Sequence, residues 1–484
     1  MRKIRGDWGA AALALCAAYT CAWDAQAMSP GELGPQQGTE SAFTFGGGYG
    51  YYAQDTALRL SVGFHFRKYD AFMGKSGTIF GRDAVAPFSL DVVFPFHLTV
   101  TDAGMPDPFW RRSEYNELSE FAGILQRLEY GRPDGPLYFR LGKLSDIRVG
   151  HGTMLDRYAA DLFYDQTRTG AYLSLLAPSA GAQVFVDDLF APSAIVSRGY
   201  WSPWAHHARA RRGLAFGVSF GLDPSVPQRA ESLDTIPAPS TAADDKFNVP
   251  RSAFPTRDPF LTWGLDVEFA VVNSERVSTT LYGDVVFQRS SELELQTGAH
   301  LGAVLGWQVT DRTVLELQAE YIPSSSGYLP VVLGRMYELQ RIHRVSAPGR
   351  GVADAISLWG APPTTDETGA VHSYRTLLGV HHAAVGSFRL GIDGGSRVAD
   401  GHFFLKVTSP EGRRLRVGAR YESTWQGKHF MEGAAIAAEA QVAITQGLLV
   451  WADGGRRWRF DEGWAALPHW HLMFGATFWL GIGR

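Results

Sequence analysis

Residues 296–321, QTGAHLGAVLGWQVTDRTVLELQAEY, read as two long strands of period two joined by a two-residue turn at Thr310-Asp311. Ala299, Leu301, Ala303, Leu305 and Trp307, then Leu315, Leu317, Ala319 and Tyr321, are apolar. The alternate positions, His300, Gly302, Gly306 and Gln308, then Glu316, Gln318 and Glu320, are small, polar or charged. One face suits hydrocarbon and the other water. A strand that crosses a bilayer at a tilt needs about 9–11 residues, with apolar side chains outward and polar ones inward. The hairpin therefore points to an all-β, transmembrane antiparallel barrel.

The same alternation recurs along the chain. Leu58, Leu60, Val62, Phe64 and Phe66 interleave with Arg59, Ser61, Gly63 and His65, and Trp263, Leu265, Val267 and Phe269 interleave with Gly264, Asp266 and Glu268. The second half repeats it in Phe388-Leu390-Ile392, Phe403-Leu405-Val407 and Leu415-Val417-Ala419-Tyr421. About 19 candidate strands emerge, but a single-chain barrel with both ends on one side needs an even number. The reading is about 18 strands, with 16 as the second choice. Residues 214–220 are left without a partner of correct direction before residue 260. In residues 113–128 helical and strand spacings overlap, and the turn signal at 132–136 favours a hairpin.

Short connections carry turn residues, as in Arg132-Pro133-Asp134-Gly135 and Asn273-Ser274-Glu275-Arg276. Long ones near 189–212, 222–259 and 323–370 are rich in Pro, Ser, Gly and Asp. Short periplasmic turns alternating with long extracellular loops are the expected pattern. The longest loops have the length to fold inward and narrow a lumen.

The N-terminus adds a location. Arg2, Lys3 and Arg5 precede an apolar run at 10–22 and the small-x-small site Ala25-Gln26-Ala27, the three regions of a secretory signal peptide over residues 1–27. Cys16 and Cys21 lie within it, each preceded by a residue that does not suit lipidation, so a chain of 457 residues (484 minus 27) carries no thiol. Residues 28–42 form a short polar segment, and one barrel domain is expected over 43–484. No later stretch offers about 18 consecutive apolar residues, so no spanning helix is available. Net charge is −4 with no run of like charge, which leaves nucleic-acid binding without a footprint.

The end of the chain, residues 471–484, HLMFGATFWLGIGR, alternates Leu472, Phe474, Ala476, Phe478 and Leu480 against His471, Met473, Gly475 and Thr477. It resembles the terminal strand of Gram-negative outer-membrane β-barrel proteins, although Phe478 and Trp479 stand short of the last position, where an aromatic is usual. With the repeated strands, the resemblance to porin-like barrels covers nearly the whole mature chain. It implies the outer membrane after Sec-type export, the barrel assembly machinery and membrane lipids as partners, and a channel through which small solutes pass.

The functional signal lies on the inward face. Acids fall on strands in the middle of the chain, Asp266, Glu268, Asp284, Glu316 and Glu320, and bases on later ones, Arg389, Lys406, Arg414, Arg416 and Arg420. As pore-lining rows on different arcs, they would set a transverse field that selects solutes. The alternative is that they pair with neighbouring strands and fill the lumen. Gly217-Val218-Ser219-Phe220-Gly221 matches a nucleophile elbow, but Ser219 lies mid-strand, where the required strand-turn-helix is missing. Gly74-Lys75-Ser76 lacks the first glycine of a P-loop. The pairs His206-His207, His381-His382, Asp187-Asp188 and Asp244-Asp245 do not have metal-ligand spacing. No enzyme activity, cofactor or metal is expected. The leading function is a passive diffusion pore for small polar solutes. A barrel for hydrophobic substrates, a membrane hydrolase and an adhesive barrel acting through its loops, with Trp201, Trp204 and Arg209-Arg211-Arg212 as contacts, are the alternatives.

Overall fold

The computed structural model describes residues 41–481 apart from 53–54, 69–77, 80–81, 84–87, 100–120, 134, 161–167, 178, 205–212, 228–256, 275, 290–294, 335–336, 338–369, 396–400, 411–413, 425–433, 446 and 461–465. The signal-peptide reading, residues 28–40, Gly74-Lys75-Ser76, His206-His207, Asp244-Asp245 and Arg209-Arg211-Arg212 lie outside the described residues. The strands are β1 (Ser41–Tyr52), β2 (Asp55–Lys68), β3 (Thr78–Ile79), β4 (Arg82–Asp83), β5 (Phe88–Thr99), β6 (Leu125–Tyr130), β7 (Leu137–Gly142), β8 (Ser145–Ile147), β9 (Tyr158–Ala159), β10 (Gly170–Leu176), β11 (Ala180–Val186) and β12 (Ile195–Trp201). They continue as β13 (Leu214–Pro227), β14 (Arg257–Asn273), β15 (Val277–Arg289), β16 (Gln296–Thr310), β17 (Thr313–Ser324), β18 (Val371–His382), β19 (Gly386–Gly395), β20 (His402–Thr408), β21 (Leu415–Thr424), β22 (Ala435–Thr445), β23 (Leu448–Phe460) and β24 (Ala466–Gly481).

Twenty of these, all but β3, β4, β8 and β9, form one sheet of antiparallel neighbours. The sheet closes on itself: β1 pairs with β2 along one edge and with β24 along the other, Phe43 opposite Leu480 and Tyr49 opposite Phe474. Closure removes the free edge whose unpaired backbone groups would cost several kcal/mol each in hydrocarbon. The expected 18 or 16 strands are corrected to 20. The missing strand is β12, which lies inside the segment assigned to a loop at 189–212. It pairs with β13, Val196 opposite Gly221, and gives residues 214–220 the neighbour they lacked.

Two other loop boundaries contract, because β13 runs to Pro227, β14 begins at Arg257 and β17 ends at Ser324. The barrel itself begins at Ser41 rather than at residue 43. Within residues 113–128 the described part is a short turn leading into β6, which pairs with β7 as a hairpin.

The opening hairpin folds as β16 and β17, with Leu305 opposite Leu317 and Ala303 opposite Ala319. Its turn falls one residue later than read, at Asp311-Arg312. Thr310 stays in the ladder, its hydroxyl donating to Thr313 Oγ1 at 2.8 Å and accepting from the Arg312 amide at 3.2 Å. The two faces separate sharply: Leu301 is 58% exposed while neighbouring His300 is wholly buried. Phe43, Phe216, Leu265, Val285 and Phe474 share the exposed outer face. Strand direction places short connections, such as 177–179, 311–312 and 383–385, at the rim that holds Ser41 and Gly481. Longer ones, 143–169, 228–256 and 325–370, leave the opposite rim. The exceptions are 53–54, short at the far rim, and 69–87 and 202–213, long at the near one. The near rim is the periplasmic one in barrels of this class.

Candidate functional site

The lumen is occupied by a part of the chain that the strand pattern does not announce. After β7, residues 143–160 turn into the barrel instead of crossing its rim, and form the β8–β9 ribbon. Leu144, Leu155 and Tyr158 are wholly buried there, with Phe185 and Val196 of the wall around them. A second inward segment starts at Ser325. The amides of Val331 and Leu333 donate to the carbonyls of Thr153 and Met154, so the two segments lock together. Gln288 of β15 holds the second segment by donating to Leu329 O at 2.8 Å and accepting from Leu329 N at 2.9 Å. Asp146, Arg157 and Val331 are non-glycine residues with positive φ, and all three lie in these segments. Such backbone conformations cost of order 1 kcal/mol or more and persist only where surroundings hold them.

Charge holds this inner layer to the wall. Arg148 Nε donates to Asp156 Oδ1 at 2.5 Å, Arg157 Nε to Asp156 Oδ2 at 3.1 Å, and Arg148 also reaches Gln318 of β17 at 3.3 Å. Burial works against an ionised Asp156, but Arg148 and Arg157, with Arg375 of β18 behind them, hold its carboxyl well below the usual carboxylate range. His151 lies between Glu268 of β14, 2.9 Å from Nε2, and Asp284 of β15, 3.2 Å from Nδ1. Its ring stacks on Tyr282 at 4.3 Å. Burial alone would lower its pKa; the hydrogen bonds with Asp284 and Glu268 outweigh that and raise it to about 9.

The five predicted acids all lie on strands and all meet cations. Asp266 takes a bidentate pair from Arg198 of β12, at 3.0 and 2.6 Å. Glu268 and Asp284 share His151. Glu316 meets Arg389 at 3.1 Å. Glu320 meets His300 at 2.6 Å and Arg375 at 3.2 Å. Among the predicted bases, Arg389, Lys406 and Arg420 stand opposite one another on β19, β20 and β21 in direct register. Strands about 4.8 Å apart make this a cationic ladder around the wall. Lys406 also bonds Asp146 of the inner layer at 2.6 Å. Arg416 and Arg420 share the face opposite Leu415, Val417 and Ala419, and Arg414 lies exposed at the near rim.

His151, Asp266 and Asp284 bring their ligand atoms within 4.8 Å of one another, but the Arg198 guanidinium already occupies Asp266. Asp187 is likewise engaged: it accepts from the amides of Ser193 and Ala194 at 2.9 and 2.8 Å and bonds Arg168. Ser219 lies within β13.

Sequence reasoning missed Arg198, Arg375, His300 and the whole charged segment around Asp146, His151 and Asp156. Arg375 and His300 do keep lumen parity in their strands and were legible on that ground. Residues 143–160 have no strand or helix period, and only the density of Gly, Asp and Arg marks them.

No family model and no curated protein matches the sequence. Among solved structures the chain is similar to the outer membrane protein OpdK of Pseudomonas aeruginosa, at 11% identity over 92% of this chain and 99% of that chain, with a TM-score of 0.32. It is also similar to OmpT of Vibrio cholerae, at 9% identity over 92% and 100%, TM-score 0.30. For OccK8 (OprE) of Pseudomonas aeruginosa the figures are 9% identity, 93% and 100%, and 0.30. The chain is an outer-membrane type β-barrel: a closed antiparallel wall, oily outside and polar within.

Proposed function

We propose that the protein is an outer-membrane diffusion channel for small polar solutes, narrowed by its inward segments and preferring anions. The observation that carries this reading is the row of Arg420 and Arg416 on β21 and Arg414 just before it, which share one face and run to the near rim. Each acid of the middle strands is met by a cation from the wall or the inner layer, so the acidic row contributes little net field. In the basic ladder Arg389 is met by Glu316 and Lys406 by Asp146, while Arg416 and Arg414 continue the face of Arg420 along β21 to the near rim. A low-dielectric wall focuses the field of such a row into the lumen and raises the local anion concentration. The transverse field of two opposed bare rows is thereby reduced to the cationic arc of β21.

The inward segments set the size limit. A barrel of 16–18 strands or more leaves an aqueous channel unless filled, and here residues 143–160 reach from β12 across to β18, β20 and β21. Solutes are confined to what that layer leaves.

The test is single-channel recording of refolded protein in planar bilayers, with the ion-selectivity ratio from reversal potentials. Conductance with anion preference is expected, and replacing Arg414, Arg416 and Arg420 together with Gln moves the reversal potential toward cations. Silence in the bilayer, or an unchanged ratio in the triple variant, would overturn the proposal.

A further inference from the structure

Bonds join residues 143–160 to the barrel from Gln183 of β11 round to Glu422 of β21. Further round the lumen, from β22 across the closure to β2, Gln441, Trp451, Gly475, Gly48 and Arg59 stand side by side in direct register. All five have lumen parity, since Val442, Val450, Phe474, Tyr49 and Leu60, their neighbours along the strands, are exposed on the outer face. Trp451 lies flat on this arc. Its Nε1 donates to Thr477 Oγ1 of β24 at 3.2 Å, and a Cβ at Gly48 of β1 would stand 2.6 Å from its Cη2. A Cβ at Gly475 of β24 would fall within the same ring. The indole thus reaches from β23 over β24 to β1, with one face against bare backbone. Glycine weakens a strand interior and marks places of close approach. Two of them at one level in adjacent strands give the ring a floor, and because Trp451 is only half-buried, its other face is open to the lumen.

Polar groups stand at both ends of the ring. Gln441 is 3% exposed, and its Oε1 has no hydrogen-bond partner among the described residues, while its Nε2 faces Glu439 Oε2 at 3.5 Å. A buried acceptor is costly to leave unpaired and calls for a donor. At the other end Arg59 stands opposite Gly48, beside the strand on which the indole ends, and has no carboxylate partner among the described residues. One level toward the far rim, Glu439 and Asp453 stand opposite each other on β22 and β23, and His471 holds Asp453 at 3.0 Å. Arg416 lies beyond Gln441 on β21 and belongs to the cationic arc that draws anions in.

We infer that this arc binds a nucleoside monophosphate whose base carries an exocyclic amino group; the inference takes the open lumen from the channel reading above and adds the solute class. The flat base stacks on the free face of Trp451, as bases do on aromatic side chains. Its amino group donates to Gln441 Oε1, the acceptor that the wall leaves unpaired. The phosphate meets Arg59, whose guanidinium offers two parallel donors to phosphate oxygens. The ribose hydroxyls lie by Asp453 and Glu439, which as carboxylates only accept. The same two carboxylates repel a phosphate placed at the β22–β23 end, so the solute has one orientation. At about 4.8 Å per strand the row from Gln441 to Arg59 spans roughly 19 Å between Cα atoms, and the two side chains reaching in from its ends leave a gap the size of one mononucleotide.

The test is equilibrium dialysis of the refolded protein in lipid nanodiscs against adenosine monophosphate, with three partial ligands beside it. Binding is expected to be about tenfold or more tighter than that of ribose phosphate, which lacks the base, and of adenosine, which lacks the phosphate. Inosine monophosphate, which lacks the amino group, should bind about 5–10-fold more weakly. Trp451→Leu should weaken adenosine monophosphate about 10–100-fold and leave ribose phosphate as it was, and Arg59→Gln should bring the nucleotide down to the level of adenosine. No binding by wild type, equal binding of the nucleotide and ribose phosphate, or a nucleotide affinity unchanged in Trp451→Leu would each overturn the inference. The wild-type ligand series decides the matter even if the variants do not fold. A protein that holds the nucleotide but is silent in bilayers would refute the diffusion reading and leave this site standing; one that conducts without holding it would do the reverse.

Discussion

Removing the imidazole of His151 tests whether charge holds the inner layer in place. In His151→Ala the carboxylates of Glu268 and Asp284 lose the group that bonds both. Asp284 is 4% exposed at its side chain and His151 11%, so water does little to replace the bond. Breaking a buried pair from one side costs about 3–5 kcal/mol. Protonation gives a second measure. The His151 pKa is raised to about 9 in the folded chain against an ordinary 6.5, a difference that corresponds to roughly 3 kcal/mol. Because the folded value is the raised one, that contribution is complete below about pH 6.5 and is lost as pH climbs through about 9. A shift of this size changes the ratio of inward to withdrawn segment by up to about 300-fold. In planar bilayers at pH 7, high-conductance events should become about two orders of magnitude more frequent in His151→Ala. Wild type should show the same rise between pH 7 and 10, and the variant should lose that pH dependence. His151→Lys, which keeps a cation, should restore part of the quiet state. Equal event frequencies in variant and wild type, or a pH response that survives in His151→Ala, would refute the hold of His151 on the inner layer.

Three further outcomes follow from the packing. Gly302→Val places a Cβ about where the Tyr282 ring now lies; overpacking of this kind costs about 1–3 kcal/mol and should lower the thermal midpoint followed by circular dichroism. Asp187→Ala strips the 187–194 turn of its acceptor and leaves Arg168 without its carboxylate, so limited proteolysis should cut there, whereas Asp188→Ala, which loses the bond from the Phe190 amide at 3.1 Å, should stay resistant. Glu320→Gln weakens the joint hold on His300 and Arg375 and should cost about 3 kcal/mol or more, read as a lower denaturant midpoint of the refolded barrel.

How much of this was legible in the sequence depends on the distance over which each feature is encoded. The β16–β17 hairpin was visible because alternation, turn and pairing all lie within thirty residues, and a one-residue slip would exchange its oily and wet faces. β12 was missed because seven residues carry few repeats of the alternation, and Pro192 and Ser193 just before it imitate a loop. The charged rows follow strand parity, yet their electrostatic meaning depends on partners elsewhere. Arg198 reaches Asp266 across 68 positions, His151 reaches Glu268 across 117, and Lys406 reaches Asp146 across 260. No local pattern encodes such pairs, since strand parity fixes only which way a side chain points and the inward segment fixes what it meets. An acid row and a base row that look bare on the page are therefore both partly neutralised in the lumen. The inner layer supplies His151 to Glu268 and Asp284 and Asp146 to Lys406, while Glu316 of the wall meets Arg389. Transplanting that logic gives a direct expectation: deleting residues 146–156 should take His151 from Glu268 and Asp284 as well as widen the lumen. Conductance should then rise while anion preference falls. A plain steric plug predicts the first change without the second.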